Sequence, residues 1–155
     1  VTSAALASAG LTAAVKAFRD LAAPDGNMMN LEPEFILVPT DLEYTARNIY
    51  VSQEIRDTTA STKTFTTNVY QNKFKPIVVP ELGSSSFTGY SATSWHMLCS
   101  PAILASASMC FLNGQQSPTI ESADADFNTL GIQFRGYHDF GAQMTEYRAS
   151  VEAQA

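Results

Sequence analysis

Apolar positions along this chain fall into two successive patterns. They first recur at Leu11, Val15, Phe18 and Leu21 or Ala22, a spacing near one helical turn that predicts a helix from Leu11 to Ala22. Pro24-Asp25-Gly26-Asn27 then supplies the residue types that stop a helix and turn the chain. Phe35-Ile36-Leu37-Val38 is an unbroken apolar run between Pro33 and Pro39, which predicts a strand buried on both faces. Thr40-Asp41-Leu42-Glu43 has capping-box spacing, in which the Thr40 hydroxyl would accept from the Glu43 amide while the Glu43 side chain reaches back. Leu42, Ala46 and Ile49 form the apolar side of a second helix, completing a helix–strand–helix unit over residues 11–52.

Beyond residue 52 the spacing shortens to that of strands. Residues 53–63 are polar and predict a loop, whereas Phe65, Thr67 and Val69 alternate with polar positions as in a half-buried strand. Lys73 to Val79 predicts another strand, with Pro76 confining it to an edge or bulge. A second polar loop runs from Gly83 to Thr93. Short strands are predicted at Trp95–Cys99 and Ala107–Leu112, the latter closed by an Asn113-Gly114 turn. Gly131–His138 reads as a late strand, Asp139-Phe140-Gly141 as a turn, and Gln143–Val151 as a terminal strand or short helix. The fold class is α+β, with helices early and a mixed sheet late. The expected core comprises Leu11, Val15, Phe18, Phe35, Leu37, Leu42, Ile49, Val78, Trp95 and Leu98.

Composition narrows what such a fold can do. The 155 residues are 45% hydrophobic and only 15% charged, with net charge −6. That is a globular chain with a poorly charged, hydroxyl-rich surface. Such a surface suits subunits that meet one another, and equally a plain monomer. The acidic balance argues against sequence-specific nucleic-acid binding, which needs Lys and Arg to displace counterions. No apolar run approaches the length of a membrane span. Two cysteines make no disulfide framework and point to a reducing compartment. The Ala-rich start lacks the basic leader of a signal peptide, and a chain beginning at Val1 reads as a fragment or a processed product.

Candidate chemistry is sparse. Asp124-x-Asp126-x-Asn128 copies the first ligands of a calcium loop, but Thr129 and Arg135 stand where the glycine and the bidentate acid belong, leaving a solvated acidic turn. Asp139-Phe140-Gly141 spells a kinase magnesium motif without any of the kinase motifs upstream. The spacing of His96, Cys99, Cys110 and His138 matches no zinc pattern, and both cysteines read as core residues. Trp95 and Met97 likewise read as core, and Glu32 and Glu34 as solvated acids. A serine hydrolase using His96 or His138 would lack any Gly-x-Ser-x-Gly elbow. No catalytic, cofactor-binding or metal-binding residue is assigned, no cofactor is expected, and the chain is not read as an enzyme.

The residues from Phe35 to Arg47, with Val38-Pro39 leading into a Leu42-Glu43 helix, resemble the strand-to-helix signature of tailed-bacteriophage major capsid proteins. Trp95–Ala102, Phe111–Glu121 running on to Phe127, and Gly131–Gly141 followed by Glu146-Tyr147-Arg148 resemble that family's later strands and acidic turn. The likeness extends from about Leu11 to Val151. It implies the Hong Kong phage-type capsid fold: an A domain with mixed sheet and flanking helices over residues 1–129, and a return segment of the P domain over 130–155. The family's N-terminal arm, E-loop and spine helix find no match. The implied function is a structural virion protein, a subunit of the icosahedral head shell of a tailed bacteriophage or prophage, self-assembling into pentamers and hexamers. Its implied partners are copies of itself, with scaffolding protein and prohead protease during assembly. The implied location is the virion, assembled in the bacterial host cytoplasm. An encapsulin-like compartment shell is the alternative, and a small hydrolase the more distant one. The polar stretches 53–63 and 84–93 are the expected contacts around a capsomer axis, and the chain alone is expected to be a monomer or a loose ring. The negative charge is expected to keep a shell wall from gripping packaged DNA.

Overall fold

The computed structural model describes residues 2–56, 65–124 and 131–154. In chain order its elements are β1 (Thr2–Ser3), α1 (Ser8–Arg19), β2 (Pro33–Val38), α2 (Glu43–Val51), β3 (Glu54–Arg56), β4 (Phe65–Thr67), β5 (Lys75–Val78), β6 (Ser94–Cys99), β7 (Ala107–Phe111), β8 (Thr119–Asp124), β9 (Ile132–Tyr137), β10 (Phe140–Met144) and β11 (Ser150–Gln154). They form two compact units, residues 1–106 with 146–155, and residues 107–145. The domain boundary expected at 129/130 falls outside the described residues. The compact units divide at 106/107 and 145/146, because β11 is hydrogen-bonded back into the sheet of the first unit.

That unit is built on a mixed five-stranded sheet in the order β1-β11-β6-β2-β5. β2 runs antiparallel to β6 and parallel to β5, and β11 runs antiparallel to β6 and parallel to β1. Pro76 lies in β5 at the sheet edge, where its missing N–H breaks no ladder. Register lines up Ile36, Met97 and Val151 across three strands, all buried, with Trp95 beside Ala153 in the same layer. The opposite row, Leu37, His96 and Glu152, is only partly covered. β2 is therefore buried on one face and half-buried on the other. Its core residues are Ile36 and Val38, not Phe35 and Leu37, and in β6 they are Trp95, Met97 and Cys99, not Leu98. An unbroken apolar run conceals which of its two phases points inward.

Helix α1 packs on β11, and α2 on β2 and β5. Leu11, Ala14 and Phe18 of α1 and Ala46 and Ile49 of α2 join the same core, while Val15, Leu42 and Val78 border it. α1 spans Ser8–Arg19, three residues earlier than the apolar spacing suggests. It starts where the Ala7 carbonyl accepts from Leu11 N–H at 2.9 Å, and it stops before Leu21, whose carbonyl accepts instead from Met29 N–H at 3.1 Å. The 24–27 turn forms as expected, with Gly26 at φ +84°. The Asp25 carboxylate accepts from the Asn27 backbone and side chain, which holds its pKa below the usual carboxylate value.

Gly10 has a packing reason. A Cβ there would lie 2.1 Å from the Ala5 carbonyl oxygen, so the segment entering α1 can cross it only at glycine. That segment is pinned by the Trp95 indole N–H donating to the Ala4 carbonyl at 3.1 Å, and by Ala4 N–H donating to Gln154 at 3.0 Å.

The capping box at Thr40 does not form. Residues Thr40–Leu42 make a turn of 3-10 helix, the Glu43 amide bonds the Thr40 carbonyl, and the Glu43 carboxylate takes Arg47 Nε at 2.8 Å one turn on. The decisive cap is at the other end of α2. Asn68, only 6% exposed, donates from Nδ2 to the carbonyls of Ile49 (2.5 Å) and Ser52 (2.8 Å) and accepts from Tyr70 N–H (2.9 Å). Asn72 N–H takes the Tyr50 carbonyl at 2.9 Å, and Gln71 Nε2 takes Val51 at 3.0 Å. The half-buried strand expected at 65–69 is thus reversed. Phe65 and Val69 are exposed, and the intervening polar residue is the buried one, because carbonyls at a helix end need donors more than Val69 needs cover. The loop expected over 53–63 begins as strand β3, paired with β4, and its remainder, 57–63, lies outside the described residues.

The second unit holds two antiparallel ladders, β7 with β10 and β8 with β9. Asn113 and Gly114 make the expected turn, both at positive φ (+54° and +73°). Strand β8 was not evident in the apolar spacing. Asp139-Phe140-Gly141 does not form the expected turn: Asp139 leads into β10, which Phe140 and Gly141 open. The terminal segment expected over 143–151 is divided among the end of β10, a 3-10 turn at Tyr147–Ala149, and β11.

Candidate functional site

The polar candidates are distributed rather than assembled. Asp124 ends β8, while Asp126 and Asn128 of the calcium-like run lie outside the described residues. Among the described residues, no group of three or more His, Cys, Asp or Glu could hold a metal ion. His96 and Cys99 belong to the sheet unit, and Cys110 and His138 to the 107–145 unit. Cys99 is buried, and burial pushes its thiol pKa up. Cys110 is exposed, contrary to its core reading. Glu32 is solvated, and meets Arg19 at 3.1 Å and Lys73 at 3.6 Å. Exposed pairs of this kind contribute little to stability.

One recess gathers hydrolase-like residue types. A cavity of about 120 Å³ is lined by Ser117, Thr119, His138 and Asp139, among others. The His138 ring lies between those of Phe111 (5.8 Å) and Phe140 (5.3 Å), and its Nε2 is shut from solvent with no hydrogen-bond partner. A base must hold the nucleophile's proton at that atom, and no hydroxyl reaches it. The recess has the ingredients of a relay without its connections.

What the 107–145 unit does present is apolar surface. In the β8–β9 ladder the register puts Ile120, Phe134 and Ile132 on one face with Gly136, Ser122 and Asp124. The other face carries Thr119, Tyr137, Gln133 and the Glu121–Arg135 ion pair, Nε to carboxylate 2.6 Å. Side chains alternate across a strand, so this ladder is two-faced by sequence. Its apolar face is bare: Ile120 is 72% exposed and Phe134 71%. The β7–β10 ladder repeats the arrangement. Met109, Phe111, Phe140, Ala142 and Met144 share one face, with Ser108, Cys110, Gly141 and Gln143 on the other. Met144 is 69% exposed and Phe140 60%.

Sequence reasoning took Cys110 for core because it sits in an apolar run, but an apolar run does not show what, if anything, covers it. The signal for β8 was present in Ile120-x-Ser122-x-Asp124 opposite Ile132-x-Phe134, too weak to stand out without knowing the pairing.

The strands of this mixed α/β chain offer large apolar side chains to water, as surfaces that meet other proteins do. The comparison with known families agrees. The family model described as phage capsid protein matches residues 1–153, and the chain belongs to that family. It is accordingly a structural protein of a bacteriophage virion. No curated protein and no solved structure matches it significantly. No helix among the described residues is long and apolar enough to cross a membrane.

Proposed function

We propose that this chain is a subunit of an icosahedral head shell of a tailed bacteriophage, with the Hong Kong phage-type fold, self-assembling into pentamers and hexamers. The observation that carries the reading is the family match across nearly the whole chain. The five-stranded sheet with its two helices serves as the A domain, and the loop from 84 to 93 meets its neighbour around the capsomer axis. That loop exposes Phe87 and Tyr90, aromatic side chains of the type enriched where proteins meet. Scaffolding protein and a prohead protease act during assembly in the host cytoplasm. Low charge helps throughout, because apolar and hydroxyl contacts are desolvated at less cost than unpaired ions.

Rings are one of two outcomes that a head-to-tail contact allows. One patch meeting a different patch on the next copy either closes into a ring or runs on as a filament. Light scattering behind size-exclusion chromatography, across a concentration series, tests this. Masses that climb to a ring of five or six copies, or to larger particles, support it. A concentration-independent two-fold dimer contradicts it.

A further inference from the structure

We propose that the apolar faces of the two ladders in the 107–145 unit are a surface by which each subunit grips a second copy of this chain. The inference rests on the capsid reading and adds to it a specific contact. A two-stranded ladder in water is marginal by itself, and gains independent stability only when its hydrophobic face is covered. Each ladder has a face that gathers most of its large apolar side chains, and most of those side chains are left open. Patches of this kind on a monomer mark interaction sites.

The area suits a protein partner. Met109, Ile120, Ile132, Phe134, Phe140 and Met144 are each more than half exposed. Within each ladder the three offer a few hundred Å², a substantial part of the roughly 800 Å² that each side contributes to a standard interface. Charge excludes the polyanionic alternative: the β8–β9 apolar face carries only Asp124, at its end, and the β7–β10 face carries no charge. In a shell, the surface always present at high local concentration is another copy of the same chain.

The test uses thiol alkylation of the full-length protein carrying Met144→Cys, comparing assembled material with subunits separated by dilution. Native Cys110 lies on the opposite face of the same ladder and serves as the internal control, while buried Cys99 stays silent. The thiol introduced by Met144→Cys should react about tenfold more slowly in assembled material, with Cys110 little changed. Equal rates in both states would overturn the proposal. Protection already present in the separated subunit would also overturn it, by showing that the chain covers itself.

Phe134→Asp gives a second readout. It should raise the concentration needed for assembly at least about tenfold, while Trp95 fluorescence shows the sheet unit intact. Assembly at the wild-type concentration would contradict the proposal. Wild-type protein that never assembles sinks the shell reading together with this contact, whereas particles with a freely reactive thiol at position 144 sink the contact alone.

Discussion

Asn68→Ala should destabilise the sheet unit by about 3 kcal/mol, although it deletes only a small polar side chain. The side chain makes three hydrogen bonds at a residue 6% exposed. Each is worth about 1 kcal/mol net, and the Ile49 and Ser52 carbonyls lose donors that water reaches poorly once the site is closed. Trp95, the only tryptophan and fully buried, reports unfolding of this unit directly. With a urea dependence near 1.5 kcal/mol per molar, the midpoint should fall by roughly 2 M. Asn68→Asp separates lost bonds from lost volume. Its carboxylate keeps the acceptor for Tyr70 N–H but faces two carbonyl oxygens, which favours its protonated form in the folded state. The unfolded chain ionises first as pH rises through about 4, so the penalty should grow above that pH and shrink below it. A change under about 1 kcal/mol for Asn68→Ala would show that α2 does not depend on this cap.

Gly10→Ala should act against the usual trend. Alanine in a helix normally gains about 1 kcal/mol over glycine, but the new Cβ would sit 2.1 Å from the Ala5 carbonyl oxygen and should cost about 1–3 kcal/mol instead; a raised thermal midpoint would refute the close approach. Cys99 and Cys110 should differ in reactivity, because burial raises the Cys99 thiol and Cys110 stands in solvent. Iodoacetamide near pH 8 should modify one thiol per native chain and two only after unfolding, and equal rates in the native protein would displace Cys99 from the core.

Much of the sheet unit was legible in its residues because local and tertiary demands coincide there. Phe18, Trp95 and Ile49 are apolar, correctly spaced and buried, and Pro76 marks an edge that exists. Legibility failed where a residue answers to something distant. The phase of β2 is set by its pairing with β6, and Asn68 is buried because a helix nineteen residues earlier ends beside it. Capping-box spacing at Thr40 yielded to a 3-10 turn. The 107–145 unit misled differently. Its apolar runs correctly mark strands, but the step from apolar to buried, taken for Cys110, fails in the single chain. The exposed apolar side chains beside Cys110, Met109 among them, are what make the unit a candidate contact.

The most direct test of the central claim is electron microscopy of the full-length protein after bacterial expression. The account predicts closed particles of uniform diameter whose averages show five- and six-fold capsomers. A homogeneous preparation of monomers or two-fold dimers, unchanged at high concentration and with scaffolding protein present, would contradict it.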